Sequence, residues 1–545
     1  MVNNTGAGIK RDFDDFARQT FDLVVVGGGI IGTGIVRDAT LRGLKTLLLE
    51  KEDFAYGTTS RSTRLIHGGL RYLRQLEFRL VRQDMREREV LLRIAPHLVH
   101  PLPFLIPMTG YSSRMVMALG MRLYDILSYD KSLPSFRYLS RRETLELEPD
   151  LQLDGLIGSY LYYDCQIPFA ERLCLENVLS AAEGGASIAN HARVTDLLRD
   201  GDSVSGVRVE DTLSGEVYQI ATRLLVNAAG PWMGRVLDML DHHSAPMLRT
   251  TKGVHLLTPH ICNNALVLFA RADGRLFFAI PWQGYTLIGT TDTDYSGDLD
   301  TVHAEASDVD YLLTEVRHAF PSVKEEEIFY TTAGLRALAG SRSGRASNVS
   351  RQHRVIDHEV TDSVKGFISV VGGKITGYRA IAQEVVDLVC RKLGLNVPCS
   401  TAEARLPGAP AARQGKVAQV ALDNGLSVET VAHLNALYGS RLYQVLELAH
   451  NDARGSQTIC AHSPDILAQI WHATQMEGAL TVNDFLLRRS AIGLAPCQGL
   501  DAVETVAREM GRLLGWSSAE QERQVKAYRS SVALSQRFRA GAIDS

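Results

Sequence analysis

Residues 21–50 read FDLVVVGGGIIGTGIVRDATLRGLKTLLLE. Leu23 to Val26 is an unbroken apolar run, the pattern of a strand buried on both faces of a parallel sheet. Gly27, Gly29 and Gly32 follow in G-x-G-x-x-G spacing; a helical stretch then runs to Gly43, and Lys45 to Leu49 form a second strand ending on Glu50. Gly27 permits the tight turn, Gly29 lets a pyrophosphate approach the backbone, and Gly32 lets helix and strand pack closely. The helix N-terminus offers N–H groups and a positive dipole end to phosphates. Glu50, 18 residues after Gly32, stands where an acid accepts from a ribose hydroxyl. Strand, glycine turn, helix and acid together predict a dinucleotide site; the alternative is a glycine-rich turn in an ordinary βαβ unit.

The chain has 545 residues, enough for three or four domains, with 45% hydrophobic and 22% charged residues, ordinary globular values. A net charge of −4 argues against nucleic acid as a partner. Of 58 basic residues only 11 are Lys, so a lysine inside a glycine-rich motif stands out. Seven cysteines without paired spacing predict no disulfide framework and no metal cluster, and fit a reducing cytoplasm. Met1 to Thr20 is polar and mixed in charge, unlike a signal peptide. Ile94 to Ser113 carries no formal charge, but Pro96, Pro101, Pro103 and Pro107 exclude a transmembrane helix.

Beyond Glu50, KEDFAYGTTSRSTRLIHGGLRYL reads as a loop entering a short helix. Glu77 to Ile94 has helical periodicity, with Asp84/Arg88 and Glu89/Arg93 spaced for pairing on a surface-facing helix. Within Pro107 to Leu127, the apolar residues from Met108 to Leu123, Met115, Met117 and Met121 among them, are interleaved with only Arg114 and Arg122 as charges. Such a stripe lies in a membrane interface, in the core, or in a homodimer contact. Glu183 to Val226 reads as short strands about a turn at Asp200 to Ser203, ending in a strand that delivers Ala229-Gly230-Pro231 to a ligand. Residues 245–330 alternate apolar and polar as antiparallel strands do. Phe367 to Val371 is another buried strand, followed by a glycine turn and a helix. Residues 396–416, rich in Pro, Ala and Gly, read as a linker, and helical patterns dominate from 417 to 545.

The return to strand–glycine–helix after a mid-chain antiparallel portion is how many FAD enzymes are organised. The expected fold is α/β: a discontinuous Rossmann-like FAD-binding domain with an inserted antiparallel-sheet substrate domain and a C-terminal helical domain. After a polar segment 1–20, residues 21–395 form the oxidoreductase region. Its FAD-binding segments are about 21–95, 155–240 and 330–395, and its cap segments about 96–154 and 241–329.

The motifs RLIHGGLRYL (Arg64–Leu73), EFRLV (Glu77–Val81), EREVLLRIAPHL (Glu87–Leu98), NAAGPW (Asn227–Trp232), IGTTDTDYSGD (Ile288–Asp298) and GGKITGY (Gly372–Tyr378) resemble those of FAD-dependent glycerol-3-phosphate dehydrogenases. The resemblance covers residues 20–395 and continues more faintly into DFLLRRSAIGL (Asp484–Leu494). It implies a D-amino-acid-oxidase-like fold, FAD, sn-glycerol 3-phosphate as donor, and quinone as acceptor at the cytoplasmic membrane surface, where the protein is peripheral. An oxygen-dependent oxidase, and a flavin oxidoreductase of another small hydroxy or amino acid, are the alternatives.

Oxidising a secondary alcohol with a flavin requires a proton acceptor, cations for a phosphate dianion, and positive charge beside the reduced ring. By resemblance, Arg71 and Tyr72 line the substrate pocket, Arg336 meets the carbon end being oxidised, and Arg351 holds the phosphate. His67 is a catalytic or flavin-contact residue. Lys374, at a helix start after Gly372-Gly373, serves the polar edge of the flavin or a substrate oxygen. Thr58, Thr59, Ser60, Val194, Ala229, Gly230, Gly373, Ile375 and Thr376 join Gly27, Gly29, Gly32 and Glu50 in holding the cofactor.

Three positions depart from the family pattern: Ala337 stands in place of Pro, Gly377 in place of Thr, and Phe169-Ala170-Glu171 where the family carries Asp-Ala-Arg. The last reverses a charge. Either it ties segments together, or a one-residue slip onto Arg172 supplies the equivalent, or the pocket takes a different substrate.

Overall fold

The computed structural model describes residues 8–240, 248–340, 352–409 and 416–542. Two large sheets organise it. The first has eight strands, with Thr20–Val26 at its centre between Val217–Asn227 and Thr46–Leu49. Both of these pairings are parallel, as are those that add Phe367–Val371 on one side and Ser187–Ala189 on the other. Leu23, Val24 and Val25 are fully buried. One face of the sheet carries the helices Ile30–Leu41, Ala170–Glu183 and Tyr378–Leu393. Gly34 lets two of them meet, because a Cβ there would sit 2.8 Å from the Tyr378 ring. The hairpin Ala192–Asp200/Ser203–Asp211 extends the sheet and turns at Gly201, within the expected interval.

The second sheet has ten strands and is antiparallel throughout except where Ala265–Phe269 joins His100–Met108. Its long members are Leu248–Pro259, Tyr330–Ala339 and Gly158–Gln166. Leu65–Ile66, Gly158–Gln166 and Tyr330–Ala339 fall in sequence segments expected to bind the cofactor, yet their hydrogen bonds belong to this sheet. The chain therefore crosses between the sheets more often than its segment boundaries suggest. His100–Met108, the proline-rich stretch rejected as a membrane span, is one of its inner strands, with Phe104, Leu105 and Ile106 fully buried.

The Phe78–Ile94 helix is not the surface helix its charge spacing implies. Asp84, Glu87 and Arg88 are buried, and each pairs away from its own helix: Asp84 with Lys374, Glu87 with Arg379, Arg88 with Asp164. Partners brought in by tertiary structure win over the local i,i+4 pairs, because buried charges must be matched wherever the match lies.

Residues 396–409, expected as linker, are docked. Thr401 and Leu406 are buried, the Gly408 N–H donates to Glu176 at 2.7 Å, and Arg37 donates to the Ala404 carbonyl at 2.7 Å. Proline and alanine suit a packed irregular segment as well as a free one. The C-terminal region is helical, apart from a small hairpin, Thr458–Cys460/Ser463–Ile466. It is clasped to the first sheet through Asp53, whose buried carboxylate accepts from Arg488 at 2.6 Å and from Arg489 at 2.7 and 2.9 Å. Arg172 reaches it too, donating to Glu477 at 2.7 and 2.8 Å.

Candidate active site

The glycine turn is shaped by close approach. Gly27 has φ +112°, and a Cβ there would lie 2.6 Å from the Ala228 carbonyl oxygen. A Cβ on Gly32 would overlap the Gly27 carbonyl, so this glycine serves helix–strand packing and does not face the cavity. Gly29 caps the Ile30–Leu41 helix without a side chain, while Thr59 Oγ1 accepts the Ile30 N–H at 3.1 Å. At the end of the next strand Glu50 accepts the N–H of Gly28 at 2.6 Å and of Glu52 at 2.8 Å. Burial pushes its carboxyl pKa up, against those two hydrogen bonds.

From this turn a cavity of about 880 Å³ opens between the two sheets, at the upper end of the range for small-molecule and cofactor sites. Gly27, Gly29, Glu50, Thr58, Thr59, Val194, Ala229, Gly230, Gly373, Lys374, Ile375 and Thr376 all line it, as do His67, Tyr72 and Arg336. Ser60 does not; its hydroxyl donates to the Tyr56 and Gly57 carbonyls and so braces the loop. Arg351 lies outside the described residues, and of Arg71 only the backbone is described, in the Leu70–Arg74 helix.

The far end of the cavity is cationic and contains two imidazoles. Arg336 donates to Asp292 Oδ1 and Thr290 Oγ1, both at 3.0 Å, and to the Thr291 carbonyl at 3.3 Å. Its guanidinium lies across Gly253 of the neighbouring strand, where any Cβ would overlap it. Two residues on, and so on the same face of that strand, is His255. Its ring rests on Gly289, where a Cβ would come within 2.5 Å of it, and its Nε2 lies 3.0 Å from Thr63 Oγ1. Burial, reinforced by Arg336 and Arg64, holds His255 down to about 3.

Lys374 pairs with Asp84 and lies 4.0 Å from the centre of the Tyr72 ring. Burial raises Asp84 to about 6 despite this lysine. His67 lies on the cavity wall with its backbone N–H bonded to Thr376 Oγ1 at 3.2 Å. Burial holds its ring down to about 4, with Asp164 opposing and Lys374 and Arg88 assisting. Both imidazoles are therefore neutral near pH 7 and able to accept a proton.

Sequence reading missed His255, Asp292 and Asp84. His255 had a signal, TKGVH, in which Gly253 and His255 alternate onto one strand face, but the same alternation describes an ordinary strand. Asp84 looked satisfied by Arg88.

A dinucleotide turn opening onto a buried chamber of cations and neutral imidazoles defines a dinucleotide-dependent oxidoreductase. Comparison with known proteins narrows the class. Residues 22–381 match the family of FAD dependent oxidoreductases, and residues 399–521 match the C-terminal domain of alpha-glycerophosphate oxidase. The chain belongs to the glycerol-3-phosphate dehydrogenase family of FAD dependent oxidoreductases. A glycerol-3-phosphate dehydrogenase of Synechocystis sp. is 40% identical over 538 residues, covering 95% of this chain and 97% of the relative. Glycerol-3-phosphate dehydrogenase 2 of Mycobacterium tuberculosis is 37% identical over 94% of this chain and 88% of its own. The X-ray structure of the glycerol-3-phosphate dehydrogenase from Bacillus halodurans complexed with FAD superposes with TM-score 0.79 at 29% identity, covering 96% of both chains.

Proposed function

We propose that this enzyme oxidises sn-glycerol 3-phosphate to dihydroxyacetone phosphate with FAD, and passes the electrons to quinone at a membrane surface. The observation that carries the reading is one continuous cavity lined both by the glycine turn and Glu50 and by Arg336, His255 and Lys374.

The residues fit FAD. Glu50 keeps carboxylate lone pairs for ribose hydroxyls beyond the two amides it accepts. The helix start at Gly29 suits the pyrophosphate, with Thr58, Thr59, Val194, Ala229 and Gly230 along the walls. Gly373, Lys374, Ile375 and Thr376 precede the Tyr378–Leu393 helix and would hold the ring end. When bound, FAD supplies the hydride acceptor.

The protein's part is electrostatic and acid–base. Arg336, fixed by three acceptors and seated on Gly253, stabilises negative charge on the donor oxygen as its proton leaves. His255 takes that proton. Its ring is neutral, and a phosphate dianion nearby raises its pKa from about 3 toward working range. Lys374, oriented by Asp84, adds positive charge at the ring end, with the Tyr72 ring beneath it. His67 lines the same cavity. Arg71 and Arg351 are assigned to the phosphate by family resemblance.

The surface supports peripheral membrane contact. Along the Tyr111–Leu127 helix, Tyr111, Met115, Leu119 and Ile126 stand exposed in one stripe with Arg122, and Val116 beside it. Each of these apolar side chains is at least 67% exposed, whereas Met121 and Tyr124 on the opposite face are buried. An exposed apolar stripe with basic residues suits a lipid interface, where a quinone dissolves. Among the described residues no helix is long and apolar enough to cross a membrane.

The test is anaerobic. Adding sn-glycerol 3-phosphate to the yellow enzyme should bleach the flavin, and glycerol should not. Failure to bleach with FAD bound would remove the donor assignment. Hydrogen peroxide produced stoichiometrically in air, with no turnover on a lipid-dissolved quinone, would replace quinone by oxygen.

A further inference from the structure

We propose that Cys460, His462, Cys497 and Asp501 form a zinc-binding site in the C-terminal region, remote in sequence from every residue of the cavity. Cys460 ends the first strand of the small hairpin and His462 follows in its turn. Cys497 and Asp501 come from the segment between the short turn Ile492–Leu494 and the Val503–Leu514 helix. One ligand atom from each residue falls within 4.8 Å of all the others. Cys460 Sγ is 3.3 Å from Cys497 Sγ, 3.4 Å from Asp501 Oδ2 and 3.9 Å from His462 Nδ1, and that nitrogen is 3.8 Å from Asp501 Oδ2.

These separations, 3.3 to 3.9 Å, bracket the edges of a metal tetrahedron. Sulfur at about 2.3 Å from zinc and nitrogen or oxygen at about 2.0–2.2 Å place neighbouring donors roughly 3.4 to 3.8 Å apart. Two thiols with one imidazole select zinc over magnesium or calcium, whose ligands are oxygens. The backbone is turned to the same purpose: the His462 N–H donates to Cys460 Sγ at 3.3 Å, and the Gly499 N–H is bonded to Cys497. A disulfide would use the two sulfurs but gives no reason for His462 and Asp501 to converge on them.

With four protein ligands the site is closed, hence structural. It would fasten the segment containing Gln498. The Gln498 side chain donates to the Phe329 carbonyl, and its own carbonyl accepts from Tyr528 at 2.6 Å. Phe329 directly precedes the strand that carries Arg336. The ion would thus pin the C-terminal helices to the catalytic sheet.

The experiment measures metal by mass spectrometry in full-length, FAD-loaded enzyme purified without chelator, then titrates zinc alone into chelator-treated enzyme. About one zinc per chain is expected, lost in Cys460→Ser and Cys497→Ser. Because His462 is half exposed, His462→Ala should keep its fold and FAD while its zinc affinity falls more than about tenfold. Zinc absent and not taken up at micromolar concentration would overturn the site, as would zinc unaffected by His462→Ala. Recovery of Cys460 and Cys497 as a disulfide from freshly purified enzyme would also overturn it.

Discussion

Glu171 accepts both terminal nitrogens of Arg64, at 2.7 and 2.8 Å, and neither side chain is more than 7% exposed. The charge reversal at Phe169-Ala170-Glu171 thus has a partner. Arg64 lines the cavity and lies over the Trp282 ring, so Glu171 holds a cavity-wall cation from behind. Arg172, the one-residue alternative, points to Glu477 and does not line the cavity.

Removing half of a buried ion pair leaves an uncompensated charge. Glu171→Ala should therefore lower stability by about 3–5 kcal/mol, with glycerol 3-phosphate still the preferred donor. Denaturant unfolding and donor screening check this. Unchanged stability with a new preferred donor would show that Glu171 sets specificity.

Arg336 depends on the flat surface of Gly253. Gly253→Ala should retain FAD yet slow flavin bleaching by roughly 100-fold or more, as Arg336→Ala should, because each removes the same transition-state charge. The double variant should be little worse than either. Additive losses in stopped-flow bleaching would separate the two residues.

The imidazoles give a pH signature. His67 and His255 titrate at about 4 and about 3 in the folded protein, below the usual 6.5. Between those values and about 6.5 the unfolded chain binds more protons, so their contribution is full above about 6.5 and fades as pH falls. The slope is on the order of 1.4 kcal/mol per pH unit for each ring. Asp84, raised to about 6, acts in the opposite sense, losing stability as pH rises toward 6. Between pH 7 and 5 the native enzyme should accordingly lose more stability than His255→Gln; parallel losses would refute the assignment.

Leu119→Glu should abolish binding to anionic vesicles and slow quinone turnover in liposomes, leaving activity with a soluble dye acceptor unchanged. Vesicle flotation and the two assays report separately. Full vesicle binding, accompanied by a change from dimer to monomer, would instead place a second copy on that helix.

Local pattern carried the glycine-turn side of the cavity. Gly27, Gly29 and Glu50 are legible because turn, helix start and acid are one contiguous device. The proposed catalytic residues are assembled from segments far apart in sequence. Arg336 could be picked out only through family resemblance and Lys374 by its rarity inside a glycine-rich helix start, while His255 sat unremarked in an alternating strand. Charge spacing misled where burial decides: Asp84 and Arg88 suit each other on a helix, yet Lys374 and Asp164 claim them. Cys460 and His462 lie so far along the chain from Cys497 and Asp501 that no ligand spacing joins them.

The clasp on Asp53 bears on the order in which the enzyme can be completed. Ribosomal synthesis delivers the glycine turn long before Arg488 and Arg489. Until those two arginines arrive, Asp53 has the Asn190 amide but lacks the two cations that match its charge, just past the acid assigned to the cofactor. The glycine-turn half of the cavity therefore gains its buried charge partners only once the C-terminal region has docked on it, and firm flavin capture waits for that docking.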